Sequence, residues 1–181
     1  MKNYNLIFQI ILHSNLYMGC CCPKLPFIVN ETALVVVRNK EGKWLVVNET
    51  KGRGWSLPGG HVDPPEAARV SATREVLEEA GIEVKITGIL REEYKNYRCL
   101  FQKRRTIFYA EPVDDTQQPK TNSDEHSICA KWVTLDELLQ LREGKPGWRR
   151  PDLYYWGKYI EEGGTIYPLP PREEIGAQVV I

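Results

Sequence analysis

Apolar positions along this chain fall first into short β-type runs and later into helical stripes. Ala33 to Val37 (ALVVV) and Trp44 to Val47 (WLVV) are rich in β-branched and aromatic residues. Asn39-Lys40-Glu41-Gly42 between them has turn chemistry, so the pair predicts a hairpin. Trp55 to Leu57 predicts a short strand, broken by Pro58-Gly59-Gly60. Asp63, Pro64 and Glu66 then have the layout of a capping box. They predict a helix from Pro64 to about Ala80, closed by Gly81 in the left-handed conformation. Ile82 to Tyr94 predicts one long or broken strand, Thr106 to Ala110 another and Ile128 to Val133 a third. Thr134, with Asp136 and Glu137 in the first turn, predicts a helix through Leu141. Pro151 opens a last helix whose Leu153, Tyr154, Trp156, Tyr159 and Ile160 form an apolar face. The order β-β-β-α-β-β-β-α-α predicts an α/β chain with a mixed sheet between helices.

The 181 residues suit one domain. The pattern places it at 28–162, after an N-terminal extension at 1–27 and before an irregular, proline-rich tail at 163–181. Lys plus Arg and Asp plus Glu both total 24, so a global basic field is excluded and no nucleic acid partner is expected. No run of 18 apolar residues is available for a transmembrane helix. Leu6 to Leu12 resembles the apolar part of a signal peptide but leads to no small-residue cleavage site. A start at Met18 would give Gly19-Cys20-Cys21-Cys22, a layout for myristate on Gly19 and palmitate on Cys20 that would anchor the chain to a membrane. The Ser or Thr that usually completes that motif is absent, and the competing reading is a dispensable extension carrying a thiol cluster. Five cysteines without a CxxC pair fit a reduced, cytoplasmic setting.

The chemistry concentrates between Gly60 and Ile82, GHVDPPEAARVSATREVLEEAGI. Glu75, Glu78 and Glu79 are three and four apart, so their carboxylates share one helical face. Like charges there repel unless a cation neutralises them, and hard divalent ions such as Mg²⁺ or Mn²⁺ suit oxygen ligands. Taken alone, the three acids would read as a solvated face.

The complete stretch fits G-x5-E-x7-R-E-U-x-E-E-x-G-U, with U apolar, at Gly60, Glu66, Arg74, Glu75, Val76, Glu78, Glu79, Gly81 and Ile82. A chance match is on the order of 10⁻⁹ per start point at average residue usage. This pattern resembles the signature of the Nudix hydrolase family. Trp55 to Gly60, Ala130 to Val133 and Leu135 to Leu138 extend the likeness to roughly residues 28–160. The resemblance implies an α/β/α Nudix-type sandwich and Mg²⁺-dependent hydrolysis of a nucleoside diphosphate linked to another group, with Mn²⁺ able to substitute. It implies Glu75, Glu78 and Glu79 as metal carboxylates joined by the Gly59 carbonyl, with a glutamate as base for the attacking water. Arg74 would orient the glutamates, and Gly60, Glu66 and Gly81 would be structural.

Outside the motif, Glu125 is the chosen extra acid, with His126 beside it, and a solvated loop is the alternative. Lys103, Arg104 and Arg105 are candidates for substrate phosphates. Trp55 is the chosen ring to stack on a base, ahead of Trp44, Tyr94 and Tyr109, although such rings more often belong to the core. The substrate reading is a small nucleotide, a nucleoside di- or triphosphate, oxidised ones included. Diphosphoinositols or dinucleoside polyphosphates come second, because the basic triplet suits denser charge. A nucleotide sugar is third, and a non-catalytic binding module is the rival class.

Overall fold

The computed structural model describes residues 28–97 and 101–170, so Gly19 and Cys20 with their acylation motif lie outside the described residues. Ten elements follow in order: β1 (Ile28–Val37), β2 (Trp44–Glu49), β3 (Gly54–Ser56), β4 (Gly59–His61), α1 (Ala68–Ala80), β5 (Val84–Tyr97), β6 (Phe101–Pro112), β7 (Ser127–Val133), α2 (Leu135–Glu143) and α3 (Asp152–Glu161). The strands form two sheets, one in the order β4-β1-β6-β5 and one in the order β3-β2-β7. In the first, β1 runs parallel to β6 and antiparallel to β4, so the sheet is mixed.

Alternation along β1 explains the layers. Ala33, Val35 and Val37 point into a core shared with Ala72, Val76 and Ala80 of α1, while Val36 points into the opposite core with Leu138, Leu153 and Trp156. Helix α1 therefore covers one side of the strands and α2 with α3 the other, an α/β/α sandwich. Among the described residues no helix is long and apolar enough to cross a membrane.

Three sequence expectations change. The Asn39–Gly42 turn forms, with Asn39 N–H donating to the Lys43 carbonyl, but β1 and β2 part after one bridge and enter different sheets. The helix expected from Pro64 starts at Ala68, with Ala67 as an N-cap that lends no side-chain bond. A proline at 65 disfavours helical backbone at the residue before it, and residues 63–66 form a turn instead, closed by Glu66 N–H donating to the Asp63 carbonyl at 2.9 Å. Glu66 still accepts from Asp63 N–H at 3.1 Å, the carboxylate half of a capping box. Beyond α3 the backbone is irregular yet packed: Tyr167 exchanges two backbone bonds with Ile89, and Ile166 and Leu169 join the two cores. At Thr134, by contrast, both halves of the capping box are in place.

Candidate active site

Two glycines bring β4 against its neighbours. Gly59 has φ +147°, and a Cβ there would collide with the Ala33 carbonyl on β1. A Cβ on Gly60 would overlap the Glu75 carboxylate, so the motif glycine makes room for a motif glutamate. Gly59 N–H donates to Glu79 Oε2 at 2.9 Å. Ser71 Oγ and Arg74 Nη2 both donate to the His61 carbonyl, at 3.0 and 3.2 Å, fixing the first turns of α1 to the strand they face.

Arg74 is the hub of the acidic face. Its guanidinium donates to Glu66 Oε1 at 2.7 Å, Glu75 Oε1 at 3.0 Å and Glu78 Oε2 at 2.9 Å. The Arg74 bonds, with Asp63 N–H, push the Glu66 carboxyl down to about 2. Burial pushes Glu75 up from its ordinary value in spite of Arg74. Burial also pushes Glu79 up to about 8; Gly59 N–H opposes this, and the charges of Glu75 and Glu49 add to it. A desolvated carboxylate beside two others calls for a proton or a cation.

The donor set is all oxygen, which fits a hard divalent ion. Among the described residues no three acidic, histidine or cysteine side chains close into a cage. Glu75, Glu79 and Gly59 instead line an open cleft of about 300 Å³, the arrangement that suits an ion retaining water and sharing substrate phosphates.

The cleft also has a cationic wall, which, apart from Arg105, carries residues that sequence reasoning missed. Arg53, Arg105, Arg149 and Arg150 line it, together with Glu49 of β2. The Glu49 residue is only 7% exposed; it accepts from Ser56 Oγ at 2.6 Å and holds Arg149 Nη1 through both oxygens at 2.5 Å. In the sequence Glu49 is a polar residue at the end of a strand, and Arg149 lies in a loop some 100 residues away. Neither carries a local signal.

The other predicted residues separate. Arg105 lines the cleft, bonded to Glu93 and Asp152 at 2.8 and 3.1 Å. Lys103 and Arg104 line an adjoining groove, where Arg104 is held by both oxygens of Glu31. Glu125 does not line the cleft: its side chain is 88% exposed and stands 3.6 Å from His126 Nε2, whose Nδ1 lies 3.9 Å from Glu78 Oε2. The turn around Asp124, tied to Lys120, His126 N–H and Ser127 N–H, presents Glu125 to solvent. Trp55 is 8% exposed, in the core beside α3 with Lys131 over its ring, so it is not offered to a base. Trp44 and Tyr109 are also buried, whereas Tyr94 is exposed on the groove.

A family model described as NUDIX domain matches residues 30–154. The asymmetrical bis(5'-nucleosyl)-tetraphosphatase of Rattus norvegicus is 33% identical over 112 residues, covering 59% of this chain and 74% of that protein. A putative 8-oxo-dGTP diphosphatase of Bacillus subtilis is 38% identical over 73 residues, 38% of this chain and 49% of that protein. Among solved structures, a NUDIX hydrolase from Nitrosomonas europaea has a TM-score of 0.60 at 25% identity, covering 78% of this chain and 94% of the other.

Proposed function

The chain belongs to the Nudix family, and from that premise we propose that it hydrolyses a phosphoanhydride bond of a small nucleotide, with Mg²⁺ as cofactor and Mn²⁺ able to replace it. The observation that carries this reading is one cleft with an acidic floor and an arginine wall. Glu75, Glu78 and Glu79, with the Gly59 carbonyl, would hold the ion. When bound, the ion supplies charge neutralisation at the phosphate oxygens and a more acidic water.

The chain's own residues do the rest. Arg74 keeps Glu75 and Glu78 turned to one side, through bonds of 3.0 and 2.9 Å. One of the glutamates of the acidic floor would serve as base for the attacking water, and the buried Glu79, whose proton affinity is raised in the metal-free protein, must release its proton before it can hold the ion. Arg105 and Arg149 receive phosphate oxygens, for which the planar guanidinium fork is matched.

Nucleoside di- and triphosphates, oxidised ones included, are the first substrate reading, supported by the likeness to the Bacillus subtilis protein. Dinucleoside polyphosphates are the second. They are favoured by the likeness to the Rattus norvegicus enzyme and by the further cations of the adjoining groove. The chain's equal totals of 24 basic and 24 acidic residues give no general pull toward nucleic acid. Incubation with a nucleotide panel in Mg²⁺, with product identification, tests the reading. Release that stops in EDTA and in Glu79→Gln supports it; binding without turnover across the panel would mark a binding module.

A further inference from the structure

The cleft of about 300 Å³ opens into a groove of about 900 Å³, and Thr32, His61, Arg105, Arg149 and Arg150 line both. Glu75, Glu79 and Gly59 line the cleft and not the groove, so the three arginines stand where one space becomes the other. Past them the groove carries Arg91, Lys95, Lys103 and Arg104 against Glu92 and Glu93.

The junction holds more positive than negative charge. Arg149 and Arg53 share the single carboxylate of Glu49, at 2.5 and 3.6 Å. Arg105 is matched by Glu93 and Asp152 at 2.6 and 3.1 Å. Among the described residues Arg150 forms no ion pair, so four guanidiniums meet three carboxylates there. The backbone beneath is fixed: Trp55 N–H donates to the Gly147 carbonyl and Arg149 N–H to the Trp55 carbonyl, both at 2.9 Å. Gly54 allows this contact, since a Cβ there would strike the Gly147 carbonyl. The arginine loop is thus laced to the edge of β3 at a set position.

We propose that Arg150, with Arg149, is a receptor for a third consecutive phosphate, so that this site selects nucleotides whose phosphate chain has three or more members over two-phosphate compounds ending in a sugar. The inference rests on the hydrolase reading for the placement of the first two phosphates at the acidic floor. A third phosphate leaving the floor enters the junction and supplies the anion that Arg150 lacks, in a charge-assisted and bidentate geometry. A neutral sugar at the same place would offer only uncharged hydroxyl acceptors, which repay the water lost by the guanidiniums less well than phosphate oxygens do.

The test is calorimetric titration of the full chain, in Mg²⁺, with inorganic pyrophosphate and with tripolyphosphate, both in their methylene-bridged forms so that no hydrolysis intervenes. Tripolyphosphate should bind about tenfold more tightly than pyrophosphate, the value of one charge-assisted contact. Arg150→Gln should remove that step while leaving pyrophosphate affinity within about twofold, and Arg150→Lys should restore part of it, keeping the charge without the fork. Lys158→Gln, on the far end of α3, should keep the full step. Equal affinity for the two anions, or an equal loss for both in Arg150→Gln, would overturn the proposal. Metal-dependent nucleotide hydrolysis is measured separately: its absence with the step intact refutes the hydrolase reading alone, and its presence without the step refutes the third-phosphate receptor alone.

Discussion

Gly59 N–H donates to Glu79 Oε2 at 2.9 Å, tying the loop that opens the motif to the last glutamate of the helix it leads into. The bond aims the carboxylate at the cleft while burial holds its proton affinity high, up to about 8. In the metal-free protein at neutral pH the side chain is therefore largely protonated, and Gln is a close mimic. Glu79→Gln should leave metal-free stability unchanged or slightly raised, and should lower Mg²⁺-dependent turnover by about two to four powers of ten. Thermal melts in EDTA beside rate measurements check both halves. A variant that unfolds would make Glu79 a structural residue.

The same carboxyl sets a pH dependence. Its folded pKa of about 8 lies above the ordinary 4.5, so between those values the folded chain binds more protons than the unfolded one. Stability of the metal-free protein should fall as pH rises from about 4.5 to 8. Added Mg²⁺ must displace the proton, so its stabilising effect should grow over the same range. Melting temperatures at pH 6, 7 and 8, with EDTA or Mg²⁺, read this directly; a Mg²⁺ effect that is flat with pH would exclude Glu79 from the ion's ligands.

Glu66 titrates in the opposite sense. Held down to about 2 by Arg74 and Asp63 N–H, it contributes stability that is present above 4.5 and lost as pH falls toward 2. Glu66→Gln should cost about 1–2 kcal/mol at pH 7, reduced for the partial exposure of Arg74, and close to nothing near pH 2. Urea titrations at the two pH values would show it. The variant should also lower turnover, because the Arg74 guanidinium that Glu66 grips also orients Glu75 and Glu78.

The acidic face of α1 was legible from sequence because all of it lies within one helix, where spacing alone sets geometry. The sandwich layers were legible for the same reason, through alternation in β1 and the apolar stripe of α3. What escaped is non-local. Asn39–Gly42 specifies a turn, but whether its strands stay paired depends on β6 and β7, which occupy the remaining edges of β1 and β2. The Glu49–Arg149 pair joins residues that only the finished fold brings together. Glu125 fits the chemistry of an added acid, yet the hydrogen bonds of Asp124 turn it to solvent.

Glu125→Gln should therefore leave turnover within about threefold of the parent protein, as surface substitutions away from the reacting groups do. Its side chain is 88% exposed and reaches the acidic face only by way of His126. Steady-state rates on the substrate that the nucleotide panel identifies would decide this. A fall of about a hundredfold or more, the size of a lost general base, would show that the loop folds inward on the substrate.

Glu49 makes the sharpest prediction, because two of its interactions oppose each other. Its carboxylate neutralises Arg149 and accepts from Ser56 Oγ, and Glu49→Gln weakens both contacts; with Arg149 partly exposed, the cost should be about 1–2 kcal/mol. The same charge raises the proton affinity of Glu79. Near pH 6, where Glu79 is protonated, the variant should show the full loss. Near pH 9 Glu79 is ionised, and removing a neighbouring negative charge relieves repulsion, so the loss should shrink. Denaturant titrations of both proteins in EDTA at pH 6 and pH 9 measure the difference. Equal losses at the two values would mean that Glu49 acts only on Arg149, and a larger loss at pH 9 would contradict the placement of Glu49 beside the acidic floor.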